Sequence, residues 1–178
     1  MDFYSFPEWV SQTILVMQRT TNLAAFVRSP GGLWIWPMAE TIHFMGLSLL
    51  IGAIGILDLR LIGVGRGLSI AHVKKLVPWG VLGFAMCVVT GIMFLIGNLD
   101  TNQVYLTNPA FKWKVVFLGL AGINVALFEL TGLSRKVNGL APDAPTPVAA
   151  RLTGAASLML WIGVIVWGRF LPTLGDAF

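Results

Sequence analysis

The stretch LVPWGVLGFAMCVVTGIMFLIGNL, residues 76–99, carries no charged side chain and is enclosed by Lys75 and Asp100. A helix needs roughly 20 mostly apolar residues to cross the hydrocarbon core of a bilayer. The stretch is long enough to do so, and it predicts that the chain is a membrane protein.

The composition of the whole chain leads to the same class. Of its 178 residues, 56% are hydrophobic and 11% are charged, and the mean hydropathy is +0.80. A soluble domain carries about 25% charged residues. The net charge of +4 comes from basic residues scattered between apolar runs, not gathered into a stripe. These values exclude a soluble enzyme, a disordered chain and a nucleic-acid-binding module, and we expect no nucleic acid as a partner.

Three further apolar runs are delimited by charges. They cover residues 41–57, extended outward by 33–39, residues 115–134, and residues 152–168, continued by Phe170 and Leu171. The predicted fold is therefore all-α, with a four-transmembrane-helix bundle over residues 33–175. Residues 1–32 are predicted to form an outer interfacial helix that starts near Pro7, and a linker broken at residues 29–32. A removable signal peptide is not expected.

The basic residues predict the orientation, because basic loops are retained in the cytoplasm. Seven lie on one side of the predicted spans and five on the other. The first group is Arg60, Arg66, Lys74, Lys75, Arg135, Lys136 and Arg151; the second is Arg19, Arg28, Lys112, Lys114 and Arg169. Both termini are therefore expected in the periplasm of a bacterium, with Trp34, Trp36, Trp113 and Trp167 in an outer aromatic belt.

Small residues recur along all four predicted spans. In the second span Gly83, Cys87 and Gly91 are four residues apart. Small residues let transmembrane helices approach closely, and they could equally leave room for a flat cofactor. The spacing does not separate these interpretations. The number of small-residue faces also predicts a homo-oligomer in the lipid bilayer.

His43 is the main candidate for a functional residue. It lies seven to nine residues inside the tryptophans, which places it ~10 to 14 Å below the outer surface. Ionisable residues at such depth are costly, usually face the bundle interior and have a function. Imidazole is a common axial ligand of haem iron. We therefore expect His43 to bind haem b, with Lys112, Lys114 and Arg169 as candidate partners of the propionates.

His72 is predicted at the inner end of the second span. A separation of ~20 Å along the membrane normal prevents the two histidines from sharing one iron. The haem would then have an open sixth position or a thioether ligand from Met45, Met86 or Met93. His72 is either a solvated residue or a ligand of a second haem or of another metal, for which copper is one alternative.

Two acidic residues complete the polar inventory. Asp58, at the inner end of the first span, is expected to form a structural ion pair that involves Arg60 or a neighbouring helix. Glu129 could accept a proton or contact His72 or Arg60. One cysteine, Cys87, excludes an internal disulfide and a cysteine-based zinc or iron–sulfur site.

The run Trp36-Pro37-Met38-Ala39-Glu40-Thr41-Ile42-His43, followed by Asp58-Leu59-Arg60-Leu61, resembles an uncharacterised family of small four-helix bacterial inner-membrane proteins. The similarity continues through His72, Pro78-Trp79-Gly80 and Thr90-Gly91. The chain is more distantly similar to b-type membrane cytochromes and to the membrane domain associated with copper resistance. The resemblance implies a four-helix membrane fold and makes His43 and His72 plausible haem ligands. It supplies no reaction, and the chain lacks the two histidine pairs of cytochrome b561.

Three functions follow as alternatives. The first is a b-type haem protein that transfers electrons near the outer face of the inner membrane, with an unknown redox partner and possible oxidoreductase activity. The second is a proton-coupled transporter with a polar path through Glu40, His43, Asp58, Asn124 and Glu129. The third is a non-catalytic scaffold or accessory subunit.

Overall fold

A computed structural model of the chain describes residues 7–22, 25–26, 29–97 and 108–174. Arg28 and Asp100, used above for orientation and for the end of the second span, lie outside these residues. The described part is helical and contains no strand. Its helices are α1 (Glu8–Thr21), α2 (Ile35–Ile62), α3 (Ile70–Val73), α4 (Val77–Gly97), α5 (Pro109–Leu130), α6 (Leu133–Asn138) and α7 (Val148–Leu174).

Four helical stretches are long and apolar enough to cross a membrane. They are α2, α5, α7 and the continuous stretch Ile70–Gly97, in which a 3-10 turn, Lys74–Leu76, joins α3 to α4. The predicted all-α fold with four transmembrane helices is confirmed. The chain is a multi-pass membrane protein.

The ends of the spanning helices are set by capping residues. Asn108 accepts a hydrogen bond from the Ala110 backbone N–H at 2.8 Å and precedes Pro109, the first residue of α5. At the other end of α2, Gly63 has a φ of 115° and stops the helix. The inner end of the first span was predicted at Asp58 because of its charge. That prediction was wrong, because α2 continues past Asp58 and Arg60 to Ile62.

Neighbouring spanning helices run antiparallel. Near one end of α2, Trp36 lies beside Gly97 of α4, and further along, Ile54 lies beside Gly80. The starts of α2 and α5 therefore share one side with the ends of α4 and α7, which we call the outer end. Trp113 and Trp167 stack there with ring centroids 6.0 Å apart, where the aromatic belt was predicted.

The four helices do not pack equally. Helix α2 packs against both α4 and α7, and α7 packs against α5. Helices α4 and α5 make almost no close backbone contact with each other in the described part of the chain. The bundle is therefore less tightly closed between α4 and α5 than along its other sides.

The glycines divide into two groups. A methyl group added to Gly46 would lie 2.8 Å from the Gly83 carbonyl oxygen and 3.1 Å from Cys87 Sγ, so this part of the stripe serves close packing of α2 on α4. For a second group, all in the spanning helices, an added methyl group would meet no described neighbour within 4 Å: Gly52, Gly55, Gly91, Gly119 and Gly122. Only some of the small residues in the spanning helices therefore serve helix packing within one chain.

The N-terminal helix forms as predicted, over Glu8–Thr21. It makes limited contact with α4 and exposes the apolar side chains of Trp9 and Met17. Its location at the bilayer surface stays a prediction. The break before the first span is also observed, as a 3-10 turn over Pro30–Gly32.

Candidate functional site

His43 lies on the side of α2 that faces the bundle. Ala39, Gly46 and Leu50 are buried residues of the same face, three or four residues apart. His43 is half-buried among them and contacts α4. The imidazole therefore points toward protein and not toward acyl chains.

A hydrogen bond fixes the imidazole of His43. Its Nδ1 lies 2.7 Å from Oγ1 of Thr90 on α4, and that hydroxyl also lies 2.7 Å from the Met86 carbonyl oxygen. The carbonyl can only accept, and the hydroxyl has one hydrogen to donate. Both contacts are satisfied when Thr90 donates to Met86 and His43 Nδ1–H donates to Thr90. This assignment leaves the lone pair on Nε2.

The second ring nitrogen has no hydrogen-bond partner among the residues that the structure describes. A neutral imidazole can ligate a metal through Nε2 when its Nδ1–H donates a hydrogen bond to another group. The hydrogen bond from Nδ1–H to Thr90 would fix both the tautomer and the orientation of the ring. His43 therefore has the protonation pattern and the support of a ligand.

Aromatic rings surround the site on its outer side. The Phe94 ring lies 5.5 Å from the His43 ring and 5.1 Å from the Trp36 ring, measured between centroids. Trp36 Nε1–H donates to Glu40 at 3.0 Å. On the inner side, Cys87 Sγ lies 3.4 Å from the His43 carbonyl oxygen. Helix α4 thus contacts His43 both at its ring, through Thr90 and Phe94, and at its backbone, through Cys87.

Lys114 brings a positive charge into the same region. It stands on the second turn of α5, and its ammonium lies beside Gly168 of α7. The charge is close enough to act electrostatically on both His43 and Cys87. Helix α5 therefore contributes a cation to a site whose imidazole comes from α2.

Lys112 and Arg169 are also at the outer end, as predicted from the sequence. Lys112 lies in the first turn of α5 and is half-buried, whereas Arg169, near the end of α7, is exposed. Lys114, one of the three predicted propionate partners, is close enough to act electrostatically on His43.

His72 lies far from this site. It belongs to the short helix α3 and is exposed. Because Ile70–Gly97 is one helical stretch, the eighteen residues from His72 to Thr90 correspond to about 27 Å. The two histidines cannot bind one metal ion. No group of three or more His, Cys, Asp or Glu side chains that could hold a metal is found in the described part of the chain.

The predicted methionine ligands differ in position. Met45 is 60% exposed and lines a shallow groove with Phe44 on the outward face of α2, so it is not available to His43. Met86 and Met93 are half-buried on α4. No sulfur ligand is positioned opposite Nε2 by a contact in the described part of the chain.

The expected ion pair of Asp58 was wrong. Arg60 is 1% exposed and donates to the carbonyl oxygens of Leu68 at 2.6 Å and Pro142 at 2.5 Å, and also contacts Thr146. Asp58 is 4% exposed and forms no ion pair with a described residue. Two residues apart on a helix, these side chains point in different directions. Arg60 instead fixes the two inner loops.

Glu129 contacts neither His72 nor Arg60. It is exposed and lies 3.9 Å from Lys74, which also hydrogen-bonds to Ser134. Asn124 donates to the Thr153 carbonyl oxygen at 3.2 Å.

The five polar residues proposed for a transport path do not converge. Glu40 and Glu129 are exposed at opposite ends of the bundle, Glu40 beside Trp36 and Glu129 beside Lys74. His43 belongs to the outer site.

Thr90 was not recognised as a site residue from the sequence. Its signal was available, because it is a single hydroxyl inside the charge-free run, and polar side chains in lipid seek partners on neighbouring helices. The partner itself could not be named without the register of α2 against α4.

The chain matches no family model, no curated protein and no solved structure. The resemblance to small four-helix inner-membrane proteins and to b-type cytochromes therefore stays a prediction.

Proposed function

We propose that the protein is a membrane b-type haem protein with His43 as an axial ligand, acting in electron transfer near the outer face of the membrane. The observation that carries the proposal is the free Nε2 of an imidazole whose Nδ1–H is held by Thr90. An ionisable side chain at this depth of a membrane-spanning helix is costly unless it has a partner. Haem iron is a partner that needs one imidazole and no further cluster of ligands.

Three features of the surroundings of His43 support the proposal. Helices α4 and α5 are not closely packed, and Gly91, one residue from Thr90, meets no neighbour within 4 Å. Lys114 supplies a cation from α5 that can pair with a propionate. Phe94 and Trp36 supply the apolar rings that shield a macrocycle from water.

When bound, haem supplies a one-electron iron couple. The chain's own residues would bind and orient it: Thr90 would fix the His43 ring, and Lys114 would hold negative charge at the outer end. The close contact of Gly46 with Gly83 keeps the helices that carry His43 and Thr90 in register. The redox partner and any oxidoreductase reaction stay open. Copper enters only as a second metal at His72.

We further propose that the protein lies in a bacterial inner membrane with both termini in the periplasm. The support is the excess of basic residues on the inner side of the predicted spans, seven against five. A homo-oligomer is supported by Gly119 and Gly122, which leave a small-residue face of α5 without a partner in one chain.

An optical spectrum tests the haem proposal. Protein purified in mild detergent from haem-replete cells, or supplied with haemin, is expected to show a Soret band and a reduced-minus-oxidised difference spectrum. H43A is expected to lose both. The matched control is H72A, which removes the exposed histidine and should retain both signals.

Two results would contradict the proposal. One is a wild-type protein that stays colourless after haemin is added, and the other is an H43A spectrum identical to that of the wild type. The first result would favour the scaffold interpretation, and the second would show that His43 is not the haem ligand.

A further inference from the structure

Asp58 is a buried carboxyl group that the haem proposal does not use. It lies on α2 four residues before the inner end of the helix, and only 4% of it is exposed. Its Oδ2 atom has no hydrogen-bond partner among the described residues. One oxygen of this acid is therefore without a described partner inside a membrane-spanning helix.

The α7 side of Asp58 is small and polar. Gly154 packs so closely against α2 that an added methyl group would lie 3.0 Å from the backbone carbonyl oxygen of Asp58. Ser157, 5% exposed, places its hydroxyl where it can hydrogen-bond to the Asp58 carboxyl group. One side of the carboxyl group thus has a hydrogen-bonding neighbour, and the other side has none.

The charged groups of the neighbouring elements are engaged elsewhere. Arg60 binds loop carbonyls, and Arg151 of α7 donates to the Ile62 carbonyl oxygen at 3.3 Å. Lys74, in the turn before α4, is paired with Glu129, and α4 itself has no charged residue. No described cation neutralises Asp58.

A bare carboxylate is expensive in this position. Burying an ionised carboxyl group without a counter-charge or a full set of hydrogen bonds costs far more than burying the neutral acid. The neutral acid keeps one O–H group and can bond to Ser157. From these contacts we propose that Asp58 is a proton-binding site that holds its proton at neutral pH and exchanges it with the inner aqueous phase.

The proposed access is short. One helical turn, about 6 Å, separates Asp58 from the end of α2 at Ile62. The segment that covers this end, residues 139–147, is held by Arg60 through Pro142 and Thr146. The site does not depend on haem, because it lies at the opposite end of α2 from His43.

Infrared spectroscopy of the full chain in nanodiscs tests the proposal. We expect Asp58 to give a carboxylic-acid C=O band at neutral pH, a band that an ionised carboxylate does not give. The band should shift when the sample is exchanged into D2O. It should disappear in D58N and remain in D143N, which alters an exposed loop carboxyl group.

A second variant keeps the test informative if D58N does not fold. S157A retains the acid and removes its hydrogen-bonding neighbour, so the C=O frequency should shift. W161F is the matched control on α7, because it removes a buried N–H that has no described partner and leaves the carboxyl group unchanged.

Infrared and optical spectra of H43A together distinguish this proposal from the haem proposal. In H43A the Asp58 band is expected to persist even where the Soret band is lost. A wild-type protein without a carboxylic-acid band at neutral pH, or a band unchanged in both D58N and S157A, would overturn the proton-binding site.

Discussion

Gly46 of α2 and Gly83 of α4 face each other at a distance that excludes any side chain. A methyl group on Gly83 would collide with the Gly46 carbonyl oxygen and lie 2.6 Å from the Leu50 backbone nitrogen. These are backbone atoms, which cannot move aside as a flexible side chain can. The pair sets the register that brings His43 to Thr90.

Alanine at Gly83 should therefore destabilise the protein. We expect G83A to lower the free energy of unfolding by about 1 to 3 kcal/mol, the usual cost of overpacking. G52A is the control, because Gly52 is also in a spanning helix but has no neighbour within 4 Å. Unfolding in detergent mixtures measures both; equal stabilities would show that the contact is not rigid.

Valine at Thr90 tests the support of the imidazole. T90V preserves the shape of the side chain and removes the hydroxyl that orients His43. Loss of such an outer hydrogen bond typically weakens metal binding about 10- to 100-fold. Haemin titration followed in the Soret region should show this decrease. T153V is the control, since Thr153 is on α7 and its hydroxyl bonds to the Ala149 carbonyl oxygen of its own helix. Unchanged affinity in T90V would remove Thr90 from the site.

Arg60 should be important for stability. R60A removes hydrogen bonds from a charged group to two loop carbonyls, each worth about 1.5 to 3 kcal/mol. We expect a loss of stability of that order and faster cleavage at Asp143 by a protease that cuts beside aspartate. R66A changes an exposed arginine and should behave as the wild type. Wild-type cleavage rates in R60A would contradict the assigned role.

The proposed orientation can be tested with fusions to the C-terminus. If the terminus is periplasmic, alkaline phosphatase fused there should be active, and a green fluorescent protein exported by the general secretory route should be dark. The same reporters fused after residue 140, in the inner loop, should give the reverse result. Fluorescence at the C-terminus with an inactive phosphatase would invert the topology.

The sequence predicts the fold well because the requirement for long apolar helices is strict in lipid. It locates His43 inside the bundle for the same reason. The ends of the helices were less predictable, since Asp58 and Arg60 continue α2 where charges were expected to end it. A helix tolerates such residues where loops and neighbouring helices shield them.

The partners of polar residues depend on register, which one sequence does not contain. The contacts between His43 and Thr90 and between Arg60 and Pro142 join residues 47 and 82 positions apart. The assumed pairing of Asp58 with Arg60 rested on their proximity along the chain, and helical geometry separates the two side chains.

Chemical rescue tests the role of His43 most directly. H43G removes the imidazole and leaves space for a free imidazole molecule beside Thr90. The account predicts that H43G lacks the haem spectrum of the wild type and regains it when imidazole is added, whereas H43G/T90V regains it less readily. A wild-type haem spectrum in H43G without imidazole, or no haem in the wild-type protein, would contradict the account.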